Sequence, residues 1–146
     1  MITVGVEIDM VVTDSLAALS EYEEIFDVER LEVTEFPQGS NEAIFTIYGT
    51  RFHLLDENPE YFLVAPGENS NNSFWFNVLV EDIEDVFKKA KSKNWTVLQE
   101  VIKLEEMGVS NAILKDNFGY MWMLHELHKV VSFEERVEMF KEKMGK

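Results

Sequence analysis

The sequence DNFGYMWMLHELH, residues 116–128, predicts a turn followed by a strand, because Asp, Asn and Gly precede a run of aromatic and aliphatic residues. Its WMLHE segment has a counterpart in FHLLDE, residues 52–57, which begins 70 positions earlier. A second pair is VVTD, ending at Asp14, and VLVED, ending at Asp82, which are 68 positions apart. Coincidence in a mixed α/β chain is the alternative, but two nearly equal offsets favour an internal duplication.

Each half of the chain predicts a strand, a helix and three further strands, separated by turn residues. Asp14 or Thr13 can cap the predicted helix of the first half, and Asp82 is the predicted cap of the second. We therefore predict a first module at residues 1–68, a second at 69–128, and a C-terminal amphipathic helix at 129–146. The apolar residues of that helix share one face: Phe133, Val137, Phe140 and Met144.

The composition excludes several classes of function. The chain has 146 residues, no cysteine and a formal net charge of −15. Such acidity argues against a nucleic-acid partner and an anionic membrane surface, since both are bound through Lys and Arg. No apolar run reaches the roughly 18 residues of a membrane helix, and no signal-peptide pattern opens the sequence. Disulfides, thiolate ligands and a Cys nucleophile are excluded, and we expect a cytoplasmic protein.

Strand parity predicts a binding site. Successive side chains of a strand point to opposite faces, so each predicted sheet has a helix side and an opposite side. Two curved sheets placed edge to edge would enclose a cup lined by the opposite side, and small molecules bind in such hollows. Parity assigns nine residues to this cup, of which seven are predicted ligand contacts and the two first named are catalytic candidates: Glu7, His53, Asp9, Leu55, Trp75, Asn77, Met121, Met123 and His125.

Three segments carry a resemblance to a known family: VVTDSLAALSEYEEIF at 11–26, FHLLDENP at 52–59 and DNFGYMW at 116–122. Their order and spacing resemble the vicinal oxygen chelate superfamily, which includes glyoxalase I, bleomycin-resistance proteins and extradiol dioxygenases. Within it, the PhnB-like branch is the most similar. The resemblance implies an α+β fold, in which two tandem βαβββ modules form a curved mixed sheet around a cup, followed here by the C-terminal helix.

The resemblance also implies positions for metal ligands. Enzymes of the superfamily hold a divalent metal with one His or Glu from the first and last strand of each half. Glu7, His53, Trp75 and Met123 stand at these positions. Indole cannot ligate a metal, and a thioether suits soft ions, so only Glu7 and His53 keep ligand chemistry at these four positions. Two neighbours remain as further candidates, since His125 shares the strand face of Met123 and Asp9 shares that of Glu7. Because a catalytic zinc needs about three protein ligands, we predict no cofactor, with a divalent metal as the disfavoured alternative.

Glu7 and His53 have both catalytic and structural interpretations. Burial in an apolar strand would raise the pKa of Glu7 and suit it as a general base, with His53 as the acid. Alternatively, Glu7 pairs with a cation such as Arg51, and His53 donates a structural hydrogen bond. For each of the two residues, the sequence leaves the catalytic and the structural interpretation open.

Three functions remain open. The first is a bleomycin-resistance-like homodimer that binds a planar or amphipathic small molecule without the full metal site. The second is a lyase, isomerase or dioxygenase acting on a small carbonyl or oxygenated substrate, either metal-dependent or through Glu7 and His53 as base and acid. The third is a structural dimer whose cup is filled by its own side chains. The cup could form within one chain or between two.

Overall fold

The structure is a computed structural model, and it describes residues 4–67 and 73–145. Within these residues the chain forms eight strands and three α-helices. The first half contains β1 (Ile8–Val12), α1 (Ser15–Ile25), β2 (Val28–Val33), β3 (Glu42–Ile47) and β4 (Thr50–Asp56). The second half contains β5 (Phe76–Leu79), α2 (Ile83–Ser92), β6 (Thr96–Leu104), β7 (Val109–Lys115) and β8 (Met121–Leu127), and α3 (Phe133–Met144) follows.

Each half forms one four-stranded mixed sheet. The first sheet has the order β1-β4-β3-β2 and the second has the order β5-β8-β7-β6. In both sheets the first and last strands of the half pair in parallel, and the other neighbours are antiparallel. The predicted α+β fold of two tandem βαβββ modules is therefore confirmed. The module boundaries at residues 68 and 128 remain a prediction.

Side-chain caps start the helices where the sequence predicted them. Asp14 Oδ1 accepts from the Ala17 amide at 3.1 Å at the start of α1, and Asp82 Oδ1 accepts from the Asp85 amide at 3.2 Å at the start of α2. These bonds satisfy amides that have no partner within the first turn of a helix. In the sequence, apolar residues alternate from Val4 to Val12, which predicts a strand of that length, but β1 begins only at Ile8. Because β4 begins only at Thr50, little strand is available to pair with residues before Ile8.

The helix sides of both sheets bury one common core. Its centre is an aromatic cluster in which the Trp122 ring centroid lies 4.7 Å from that of Phe76 and 5.3 Å from that of Tyr22. Phe52 of β4 and Phe76 of β5 meet at 5.4 Å, so the cluster joins the two halves. No strand of the first sheet pairs with a strand of the second among the described residues. The halves are therefore held together by side-chain packing.

A buried carboxylate, Asp116, links the same two halves through hydrogen bonds. It accepts from the Tyr22 hydroxyl at 2.6 Å, from Trp122 Nε1 at 3.0 Å and from the Phe118 and Tyr120 amides at 2.8 and 2.9 Å. Burial raises the pKa of Asp116, and the four donors act in the opposite direction. Tyr22 belongs to α1 of the first half, so its hydroxyl bond crosses between the halves.

The C-terminal helix α3 begins at the Ser132 cap, whose hydroxyl accepts from the Glu135 amide at 3.1 Å. None of its residues that the structure describes is buried, and Phe133, Phe140 and Met144 are exposed. Its predicted apolar face is thus present but uncovered by this chain. None of the helices in the described part of the chain is long and apolar enough to span a bilayer.

We predict that Tyr22→Phe lowers the free energy of unfolding by about 1–3 kcal/mol, because it removes one donor from a buried carboxylate. Urea denaturation followed by circular dichroism measures this change. Tyr61→Phe is the matched control, since Tyr61 is exposed. Equal effects of the two substitutions would contradict the structural role given to the Tyr22 hydroxyl.

Candidate functional site

Three predicted cup residues of the first sheet lie together, and we call them the carboxylate–histidine cluster: Glu7, Asp9 and His53. His53 Nδ1 donates to Glu7 Oε1 at 2.7 Å and lies 3.5 Å from Asp9 Oδ1. The parallel pairing of β1 with β4 brings them together, because it sets Asp9 directly opposite His53. Glu7 precedes Asp9 by two residues and therefore projects on the same face.

Two further charged residues adjoin the cluster. Arg51 Nε lies 3.4 Å from Glu7 Oε2, so the cationic partner that the sequence offered as an alternative is present. Glu42 Oε1, on β3, lies 3.7 Å from His53 Nε2. That distance is beyond a hydrogen bond, and Nε2 is buried without a hydrogen-bond partner in the described structure. The second nitrogen of His53 is thus held beside a carboxylate but unpaired.

The carboxylates of the cluster have pKa shifts in opposite directions. The hydrogen bond from His53 lowers the pKa of Glu7, which contradicts the raised pKa expected from burial in an apolar strand. The reason is that Glu7 is accessible to solvent, accepts a hydrogen bond from His53 and lies beside the Arg51 guanidinium, rather than being enclosed. Partial burial raises the pKa of Asp9, and the neighbouring Glu7 adds to this effect. Glu7 is therefore ionised at neutral pH and is a weak general base there.

The cluster offers three possible ligand atoms to a metal ion, all within 4.8 Å of one another. One imidazole nitrogen with two carboxylate oxygens is a donor set that suits Mn²⁺ or Fe²⁺. The residues therefore fit a divalent metal. A ligating His commonly donates its other ring N–H to a carboxylate, and Glu42 lies on that side of His53, although at 3.7 Å it is beyond hydrogen-bond distance from Nε2.

Glu42 was not predicted. Its position depends on the register of the β3–β4 hairpin, which sets Glu42 opposite Leu55 and Ile44 opposite His53. The sequence YGT at residues 48–50 is a turn signal, and the length of this turn fixes the register of the two strands. Counting outward from that turn would have placed Glu42 on the face of the cluster.

The other predicted cup residues lie elsewhere, except Leu55, which follows His53 by two residues on the same face of β4. Met121, Met123 and His125 share one face of β8 in the second sheet, with Asn77 opposite Met123 on β5. Trp75 precedes β5 and is 47 % exposed. No hydrogen bond, ion pair or ring contact given for the described residues joins this second set to the carboxylate–histidine cluster. The predicted cup therefore has two walls that lie apart in one chain. The first wall, on the first sheet, carries the carboxylate–histidine cluster, and the second wall, on the second sheet, carries Met123 and His125.

The geometry explains this separation. The helix sides of both sheets meet in the common core, so their opposite sides face away from that core. Trp75 and Asn77 instead line a cavity of about 390 Å³ with Ile8 and Phe52 of the first sheet. His125 lines a smaller cavity of about 300 Å³ with Met107 and residues that precede α3.

Comparison with known proteins identifies the fold. The sequence matches no protein-family model and no curated protein. FosX, the fosfomycin resistance protein of Listeria monocytogenes, solved with Mn(II) and sulfate, is 15 % identical, with a TM-score of 0.68 over 96 % of this chain and 99 % of that one. The chain shares the fold of FosX.

Two further structures support this assignment. FosX from Mesorhizobium loti is 13 % identical, with a TM-score of 0.63 over 94 % of this chain and 99 % of its own. TioX from Micromonospora sp. ML1 is 14 % identical, with a TM-score of 0.62 over 88 % of this chain and all of its own. At these identities the likeness shows the fold, and similarity to the PhnB-like branch remains a prediction.

The predicted absence of a cofactor is wrong. FosX from L. monocytogenes has been solved with Mn(II), and this chain presents three potential ligand atoms in a metal-sized group. The prediction counted only the positions implied by the resemblance, where Trp75 and Met123 cannot serve. It gave too little weight to Asp9, which lies on the face of Glu7 and supplies the third ligand atom.

We predict that the Glu7 carboxyl titrates below its ordinary pKa of 4.5 and that His53→Ala raises its pKa toward that value. Because the pKa is lower in the folded than in the unfolded chain, the ionised group contributes stability above pH 4.5, which is lost as the pH falls through the folded pKa. Carboxyl-carbon NMR titration measures the shift, with Glu60 as an exposed reference. An unchanged Glu7 pKa in His53→Ala would contradict the assigned cause.

Proposed function

We propose that this protein binds a divalent metal ion through Glu7, Asp9 and His53 and uses it to hold a small oxygenated molecule. The observation that carries the proposal is the spacing of the three ligand atoms, all within 4.8 Å. Three protein ligands leave coordination positions for the oxygen atoms of a second molecule. A metal at such a site acts as a Lewis acid that polarises a carbonyl or phosphoryl oxygen.

The side chains around the site have distinct roles in this proposal. Glu42 Oε1 lies 3.7 Å from Nε2 of His53, so a small shift of the ring toward it would let Glu42 accept the Nε2 proton and leave Nδ1 to face the metal. Arg51 lies 3.4 Å from Glu7, where its guanidinium can keep that carboxylate oriented and attract an anionic group of the bound molecule. The chain thus supplies binding and orientation around an oxygen-rich centre.

The class of bound molecule is supported by the structural neighbours. FosX from L. monocytogenes binds Mn(II) with sulfate in one structure, and an E126Q mutant of it binds Mn(II) with 1S,2S-dihydroxypropylphosphonic acid in another. Both molecules are small and rich in oxygen. We therefore favour the metal-dependent alternative from the sequence, a lyase, isomerase or dioxygenase of a small oxygenated substrate, over metal-free capture of a planar ligand.

We further propose that a homodimer completes the cup. Within one chain, Met123 and His125 lie on a different sheet from the carboxylate–histidine cluster and make no described contact with it. A second copy could bring its own Met123 face against the first wall. The exposed apolar face of α3 also favours a second copy, since large uncovered apolar surfaces mark interaction sites.

We predict that Mn(II) binds the wild-type protein and that His53→Ala or Asp9→Asn weakens binding by at least about tenfold, because each removes a ligand atom. Affinity falls as the pH is lowered, since protons compete with the metal for its ligand atoms. Isothermal titration calorimetry measures both effects, with Glu134→Gln on α3 as the control. Wild-type affinity in both site variants would refute the metal centre.

We predict a dimer of twice the 17.0 kDa chain mass in solution. Sedimentation equilibrium determines the mass, and a mixed-variant experiment tests the shared cup. Neither Asp9→Asn nor Met123→Glu should turn over substrate as a homodimer, whereas a mixed dimer should regain one intact cup. A purely monomeric species at micromolar concentration would contradict this part of the proposal.

A further inference from the structure

A groove runs along the edge strand β5, where the two halves of the chain meet. Two adjoining cavities form it, of about 390 and 970 Å³, and both are lined by Tyr48 and Leu79. We call this the seam groove. Its wall on the first sheet includes Ile8 and Phe52, whose side chains point to the face opposite Asp9 and His53. The seam groove is therefore distinct from the carboxylate–histidine cluster.

The smaller part of the seam groove is aromatic. Trp75, Phe76 and Tyr48 line it, together with the buried edge of Trp122. Trp75 is 47 % exposed and Tyr48 is 45 % exposed, although both rings border the core. Exposed aromatic faces in a concave site favour a flat apolar ligand, and they also attract a cation through their ring electrons.

The larger part of the seam groove is acidic at its rim. Six carboxylates line it, and the one cation among its lining residues is Lys89. Three of the six carboxylates are neutralised in ion pairs: Glu23 with Arg30, Glu24 with Lys93 and Asp85 with Lys89. Asp82 caps α2. Asp27 and Glu81 have no ion pair in the described part of the chain, so their charges remain available to a ligand.

We propose that the seam groove binds an organic cation with a planar apolar body. The body would lie in the aromatic part beside Trp75 and Tyr48, and the ammonium group would lie in the acidic part near Asp27 and Glu81. Tyr48 and Leu79 border both parts, so one molecule can reach from one to the other. Each part has a volume within the range of small-molecule sites, and together they offer an aromatic and a charged lining.

Charge favours this occupant. Asp27 and Glu81 have no ion pair in the described part of the chain, and a small organic cation would supply the opposite charge to both. A second copy seated in the groove is the alternative occupant, and the oligomeric state of a Trp75 variant tests it.

The test uses two matched probes, 1-naphthylmethylamine, which is a cation at pH 7, and 1-naphthylmethanol, which is its neutral analogue. Calorimetry measures both affinities, and the indole N–H signal of Trp75 in NMR locates the site, since Trp95 and Trp122 are buried. We expect the amine to bind at least about threefold more tightly than the alcohol, because two rim carboxylates face its charge.

Variants separate charge, stacking and site. Asp27→Asn with Glu81→Gln should remove the preference for the amine, and Trp75→Ala should weaken both probes. Glu100→Gln, on the opposite edge of the second sheet, is the charge control and should leave both affinities unchanged.

Four results would overturn the proposal: no binding of the amine, equal binding of the two probes, an unchanged preference in the double variant, or loss of amine binding in Glu7→Gln/His53→Ala. The last would assign the probe to the carboxylate–histidine cluster. Dissociation of a dimer by Trp75→Ala would likewise overturn it, because a second copy would then occupy the seam groove.

Discussion

The indole of Trp122 is buried between the two halves of the chain, and its one polar atom donates to the buried Asp116 at 3.0 Å. Around it lie rings from both halves, among them Tyr22 of α1, Phe26 directly after that helix, Phe52 of β4 and Phe76 of β5. Each four-stranded sheet has one apolar side, which is stabilised by burial away from water. The apolar sides of the two sheets are buried against this indole. Because no described strand pairing joins the halves, their relative placement depends on this core.

The candidate sites follow from that placement. Burying the helix sides leaves the opposite sides of both sheets available, and in the first sheet this is where β1 and β4 present Glu7, Asp9 and His53. The edge of β5 comes to lie against the first sheet, which creates the seam groove. One chain therefore carries an oxygen-rich, imidazole-containing face and a separate aromatic groove with an acidic rim, although the same side chains were expected to share one cup.

Much of the fold could be predicted because it depends on local patterns. The duplicated segments predict the order of the elements, and the helices start at Asp14 and Asp82, which are cap residues in the sequence. Alternation along the last strand assigns Met123 and its neighbours Trp122 and Leu124 to opposite faces, and in β8 Trp122 and Leu124 are buried while Met123 is partly accessible. Parity with the implied strand pairing also placed Glu7 next to His53 correctly.

The remainder depends on long-range packing, which no local pattern encodes. Glu42 required the register of a hairpin, and the separation of Met123 from His53 required the orientation of one sheet relative to the other. The pKa of Glu7 depended on its partners, His53 and Arg51, rather than on the apolar residues beside it in sequence. The prediction of no cofactor was wrong for a related reason. It considered the four ligand positions implied by the resemblance, whereas the three potential ligand atoms that lie together belong to Glu7, Asp9 and His53.

The most direct test of this account is paramagnetic broadening of methyl NMR signals on addition of substoichiometric Mn(II). Ile44 lies opposite His53 on β3 and Leu55 shares its strand face, whereas Met144 belongs to the exposed end of α3. The account predicts that the signals of Ile44 and Leu55 broaden first and that Met144 stays sharp. Early broadening at Met144 or at Leu79 in the seam groove, with Ile44 unaffected, would contradict the central claim that Glu7, Asp9 and His53 form the metal centre.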